Sequence, residues 1–308
     1  MTIHFIFLDG VGLGEDAPGI NPLAGNCMPA ITRLLGGKQL LRINAPLHSP
    51  LASLLALDAQ LGVDGLPQSA TGQAALITGA NVPAGIGYHY GPKPDPPTAA
   101  FLSLGGLFGE LTRAGKKVRY LNAYPQRYFD TINSGKHMYS SFPLAAINGG
   151  LRLLTADALR QGDAVSADIT GEGWATHLHI PDIPVRDPFM VGQQIAITNQ
   201  LSDLTFFEYW ATDYTGHKQN MPEALRILAE VDAMIDGIHS RMTGQDLILV
   251  TSDHGNIEDL AVRRHTSNPV PLLLIGAPEA RQPFIHANNI TDIAPVIRMI
   301  FKGNAGPF

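Results

Sequence analysis

Ile3 to Leu8 (IHFIFL) is a near-continuous apolar run that stops at Asp9-Gly10. Such a run suits a strand buried on both faces, the usual state of a strand inside a parallel sheet. Val118 to Leu121, Leu204 to Trp210, Leu247 to Val250 and Val270 to Ile275 repeat the pattern. Helical periods lie between them. Leu107, Phe108 and Leu111 precede a stop at Gly115, and Pro222 opens a segment carrying Leu225, Leu228, Val231, Ile235, Ile238 and Met242 up to Gly244. A last helix is expected from about Thr291 to Phe301. Strands alternating with helices predict an α/β fold, with a mostly parallel central sheet and helices on both faces.

The 308 residues accommodate one large α/β domain with an insertion. Gly91 to Pro97 (GPKPDPP) reads as an extended linker, and about Tyr124 to Pro188 has weak periodicity with many Gly, Pro and Asp. The expected division is a core of 1–123 and 189–308 with a lid or small cap at 124–188. A net charge of −6 gives no reason to expect nucleic acid or an anionic membrane as partner. A single cysteine, Cys27, allows no internal disulfide. The short apolar N-terminus lacks a basic leader and is not long enough to span a bilayer. The expectation is a soluble, cytoplasmic protein.

In open α/β sheets, sites form beyond the carboxyl ends of the strands. Asp9, Asp213 and Asp253 each fall just past a predicted strand. With Asp213 comes His217, four residues on and on the same face of a helical turn. Asp253 is followed by His254, and a third histidine, His265, opens His-Thr-Ser-Asn-Pro. Each has an ordinary reading alone: a turn-forming Asp-Gly, a helix cap, a solvated loop histidine. Together, three carboxylates and three imidazoles suit a pair of divalent ions, with manganese and zinc both accommodated. His177 and His179 would share a strand face, without forming a second constellation.

Pro67-Gln-Ser69-Ala-Thr71-Gly72-Gln73 precedes a helix expected at roughly Thr71 to Thr78, stopped by Gly79. Ser69 or Thr71 would sit in the positive field of that helix, either as a cap or facing a phosphate as a metal-activated nucleophile.

FLDGVGLG, PQSATGQAALITG, D-x-x-x-H, SDHGNIEDL and HTSNPVPLLLIG, in this order, resemble the alkaline phosphatase superfamily. The likeness is to its cofactor-independent phosphoglycerate mutase and phosphopentomutase branch. The resemblance implies an alkaline-phosphatase-like core and a phosphoryl-transfer enzyme with two metal ions. It places Asp9, Ser69, Asp253 and His254 on one ion and Asp213, His217 and His265 on the other. It also selects Ser69 over Thr71 as nucleophile. Two departures stand out: Gln73 occupies a position where the mutases carry histidine, and the chain has no room for the large inserted domain of phosphoglycerate mutases.

A mutase must shield its phosphoenzyme from water while the intermediate turns, which a closing lid does. A thin lid favours hydrolysis. The expected activity is therefore a phosphatase acting on a small phosphorylated metabolite through a phosphoserine, with Arg263 and Arg264 as candidate phosphate binders. The competing readings are a mutase of a sugar phosphate or phosphoglycerate, a phosphodiesterase, and a non-catalytic metal-stabilised binding protein.

Overall fold

A computed structural model describes residues 1–303. Its strands are β1 (Ile3–Leu8), β2 (Leu47–His48), β3 (Ala52–Leu57), β4 (Val118–Tyr120), β5 (Ala123–Tyr124), β6 (Leu154–Thr155), β7 (Leu204–Tyr209), β8 (Leu247–Thr251) and β9 (Val270–Gly276). Seven of them form one sheet in the order β2-β3-β9-β8-β1-β7-β4, while β5 and β6 make a separate parallel pair. The run around Ile3 becomes an interior strand, with β7 and β8 parallel to it on either side. β4 pairs parallel with β7, and β9 pairs antiparallel with both β8 and β3. The sheet is thus mixed: a parallel block runs from the middle strand β8 to the β4 edge, and the strand at Val270 runs the other way.

The alternation of side chains along β1 divides the interior. Ile3, Phe5 and Phe7 point into one core with Phe206 and Leu249, and Ile6 and Leu8 into another with Phe207 and Val250. The first core is covered by the helices Ser69–Thr78, Gly106–Arg113, Ser141–Asn148 and Ile293–Gly303, through side chains such as Leu76, Phe108, Phe142 and Ile297. The second is covered by Pro29–Leu34, Pro188–Thr198 and Met221–His239, through Ile31, Ile195 and Val231. Helices lie on both faces, as the alternating pattern requires. Pro188–Thr198 and Met221–His239 touch backbone to backbone: a Cβ at Gly192 would collide with the Met234 carbonyl, and one at Gly237 with the Phe189 carbonyl.

Several boundaries differ from the sequence reading. Pro96 and Pro97 are not linker. Asp95 caps a short helix, Pro96–Phe101, by accepting from Thr98 N–H at 3.0 Å, and proline suits that first turn because it has no N–H to lose. The helix opened near Pro222 ends at His239, before Met242 and Gly244. The helix expected from Thr71 begins at Ser69 itself. β2 and β3 escaped the strand reading. His177 and His179 are not on a strand: the first caps a short helix and the second sits in a turn at φ 58°.

Within 124–188, Ser141–Asn148 packs into the first core. Leu159, Ala164, Trp174 and Ile183 form a small cluster of their own with Ala123. None of the described helices is long and apolar enough to cross a membrane.

Candidate metal centre and nucleophile

The parallel block brings the carboxyl ends of β1, β7 and β8 side by side. Asp9 follows β1 directly, its N–H donating to the Tyr209 carbonyl at 3.0 Å, and Thr212 Oγ1 donates to the Asp9 carbonyl at 2.5 Å. Asp213 and His217 share one face of the helix Ala211–Lys218, with His217 Nε2 at 3.3 Å from Asp213 Oδ2. Asp253 and His254 come just after β8, and both are fully buried. His265 returns in the loop between β8 and β9, where its ring stacks on His254 with centroids 3.7 Å apart. The three aspartates and three histidines among the candidate ligands meet in one place.

The way the imidazoles are tethered decides what the place can hold. His217 Nδ1 lies 2.6 Å from the Arg263 carbonyl and His265 Nδ1 lies 2.8 Å from the Pro67 carbonyl. A carbonyl only accepts, so each Nδ1 carries the proton, and in the neutral ring Nε2 keeps its lone pair. Those two Nε2 atoms face each other at 3.3 Å, and His265 Nε2 is 3.6 Å from Asp213 Oδ1. Lone pairs and a carboxylate converging this closely repel one another unless a cation lies among them. Tethering of the outer ring nitrogen to a carbonyl is also the usual second partner of a metal-bound histidine.

Asp213, His217 and His265 form one such group, and Asp9, Asp213 and His254 form another; Asp213 belongs to both. Asp253 borders the second, its Oδ2 3.6 Å from His254 Nε2. Asp9 Oδ1 and Asp253 Oδ2 are buried without a hydrogen-bond partner, although His254 Nε2 comes within 3.3 Å of the former. Oxygens so placed fit ligation by a divalent ion. The protonation energetics agree. Burial, then the charges of Asp253, Asp213 and Glu208, hold the Asp9 carboxyl well above the usual carboxylate range. Burial and then Asp213 do the same to Asp253, while burial, His265 and His217 keep His254 neutral.

Ser69 is the first residue of its helix, and its Oγ lies 3.0 Å from His254 Nε2. Thr71 is tied elsewhere: its hydroxyl accepts from the Tyr90 N–H at 3.1 Å and lies within reach of the Gln68 and Tyr90 carbonyls. Only Ser69 of the two hydroxyls meets the ligand cluster. Gln73, one turn further along, donates to Asp9 Oδ2 at 3.3 Å. Arg263 and Arg264 line an open cleft of about 490 Å³ over Ser69, Asp213, His217 and His265, with Gln68 and Pro92 opposite. Arg186 is not among that lining; its Nη2 lies 3.4 Å from the Leu159 and Arg160 carbonyls.

Sequence reasoning passed over three contributors. Asn256 donates to Asp213 Oδ1 at 2.6 Å and so fixes that carboxylate. Glu258 is buried among the loops of the site. Glu208 is buried on β7 with a hydrogen bond from the Tyr120 hydroxyl, and burial pushes its carboxyl up to about 7. A lone charge in the apolar run Leu204 to Trp210 was the available signal for Glu208.

Residues 192–305 match the model of the Metalloenzyme superfamily. The 2,3-bisphosphoglycerate-independent phosphoglycerate mutase of Antithamnion sp. is 32% identical over 117 residues, 35% of this chain and 23% of that protein. The fold extends the likeness to the whole length: alkaline phosphatase from the Antarctic bacterium TAB5 superposes with a TM-score of 0.53 over 99% of both chains, at 12% identity. Over residues 192–305 the chain resembles the Metalloenzyme superfamily, its local relatives include phosphomutases, and its fold is like that of alkaline phosphatase. A second relative, the phosphopentomutase of Symbiobacterium thermophilum, is 35% identical over 63 residues, 20% of this chain and 16% of its own. A Pyrococcus horikoshii protein of known structure covers 100% of this chain with a TM-score of 0.59 and 15% identity. The chain spans about a quarter or less of the length of the curated relatives it matches.

Proposed function

We propose that the protein is a two-metal phosphatase that hydrolyses a small phosphomonoester through a phosphoserine on Ser69. The observation that carries this reading is the convergence of two carbonyl-tethered imidazoles and Asp213 beside a helix-terminal serine. One divalent cation, manganese or zinc, would be held by Asp213, His217 and His265, and a second by Asp9, Ser69, Asp253 and His254, with Asp213 close enough to serve both. When bound, such a pair lowers the pKa of a coordinated hydroxyl and neutralises charge on the phosphoryl oxygens.

The residues of the chain do the rest. Ser69 Oγ gives up its proton and attacks phosphorus in line; the Oγ–P bond forms as the bond to the leaving group breaks, and the departing oxygen takes up a proton to leave as the alcohol. Water then attacks the same phosphorus and gives up a proton, the Oγ–P bond breaks, Ser69 Oγ regains a proton and phosphate leaves. The positive end of the helix that starts at Ser69 favours the anion throughout. Arg263 and Arg264 at the cleft rim suit the phosphoryl oxygens of the incoming substrate. We assign the part of 124–188 after Ser141–Asn148 as a small cap, that helix itself packing into the first core. A cap this small supports hydrolysis over internal transfer, because it offers little to keep water from the phosphoserine.

A mutase is the second reading, favoured by the local matches to phosphoglycerate mutase and phosphopentomutase. A panel of sugar phosphates and phosphoglycerates, incubated with manganese- or zinc-loaded protein, separates the two when free phosphate and isomers are followed together. Free phosphate is expected, and Ser69→Ala should reduce its release by roughly 10³-fold or more. Isomer without free phosphate would establish the mutase instead.

A further inference from the structure

Glu258 is only 1% exposed, and among the described residues no lysine or arginine lies within ion-pair distance of it. A buried carboxylate without a cation is costly unless donors surround it. Here they come from the loop after β1 and from both ends of the loop between β8 and β9. Oε2 accepts the Gly12 N–H and the Asn256 N–H, each at 2.8 Å. Oε1 accepts the Thr266 hydroxyl and the Asn268 side-chain amide, the latter at 3.1 Å. The space is shaped around it, since a Cβ at Gly12 or Gly255 would collide with the carboxylate.

Each of those donors stands next to a metal-ligand candidate. Gly12 follows Asp9 by three residues, Thr266 is adjacent to His265, and Asn256 lies two beyond His254 while its own side chain holds Asp213 at 2.6 Å. We propose that Glu258 is the positioning residue of the metal centre: by tying the loop after β1 to both ends of the β8–β9 loop, it sets the spacing of ligands for both ions. The inference rests on the two-ion reading of the site. Its negative charge, matched by no neighbouring side chain, also adds to the attraction for the cations.

Manganese titration by calorimetry, on wild-type, Glu258→Gln, Thr266→Val and Thr266→Ser proteins, tests this alongside the melting temperature of each metal-free protein. Glutamine keeps the shape but removes the charge and turns an amide donor toward groups that already donate. Glu258→Gln should weaken manganese binding about 10–100-fold, as loss of an outer partner commonly does. Thr266→Val should weaken it several-fold and Thr266→Ser should restore it. Wild-type affinity in Glu258→Gln, with only the melting temperature lowered, would overturn the proposal. Should Glu258→Gln not fold, unchanged affinity in Thr266→Val would overturn it and the valine–serine contrast would sustain it. Failure of the wild-type protein to bind manganese or zinc would overturn the metal-centre reading, and this inference with it.

Discussion

Asp213 is the residue on which the site turns, because its carboxylate belongs to both ligand groups. Histidine 217, by contrast, belongs to one. Asp213→Asn should therefore weaken binding at both positions, and His217→Ala at one. Each loss should exceed the roughly 10–100-fold typical of outer partners. A two-site titration with manganese checks this, and loss confined to one site in both variants would contradict the shared role. The candidate ligands were legible in the sequence because aspartate and histidine beside glycine turns announce themselves. Asn256 and Glu258 stand in the same short stretch, yet their roles depend on Asp213, Gly12 and Thr266, partners that only the fold brings near. Spacing along the chain carries no trace of a bond across loops.

At the scale of elements, β1 was readable from its apolar run, and the long helix near Pro222 from its periodicity. β3 was not. Ala52–Leu57 (ASLLAL) is built from residues that favour helices and lacks the β-branched residues of a strand. Pairing along its whole length with β9 overrides that preference. The contact between Pro188–Thr198 and Met221–His239 is likewise set by two glycines rather than by a visible apolar pattern. Gly237→Ala places a methyl group against the Phe189 carbonyl and should cost about 1–3 kcal/mol, the usual range for overpacking. Urea unfolding of the metal-free protein measures it, and a cost near zero would mean that the helices part easily.

At the scale of the whole molecule, Glu208 is one group through which stability responds to pH. Its folded carboxyl is raised by burial from 4.5 to about 7, so the folded state holds that proton more tightly than the unfolded chain does. Its contribution to stability is full below about 4.5 and is lost as pH rises through about 7. The slope of stability against pH between those values should flatten in Glu208→Gln, measured on protein freed of metal with a chelator. An unchanged slope would place the titration elsewhere. Tyr120, which donates to Glu208, lowers the carboxyl's pKa, so Tyr120→Phe should extend the same decline to higher pH.

The position of β1 has a consequence for synthesis on the ribosome. Both of its neighbours, β7 and β8, lie about 200 residues or more further along the chain. At roughly 5–20 residues per second, an apolar IHFIFL segment waits on the order of 10–40 s for its first partner. During that interval it is an unpaired strand able to join other chains, so the nascent protein passes through its most aggregation-prone state before the centre of its sheet exists.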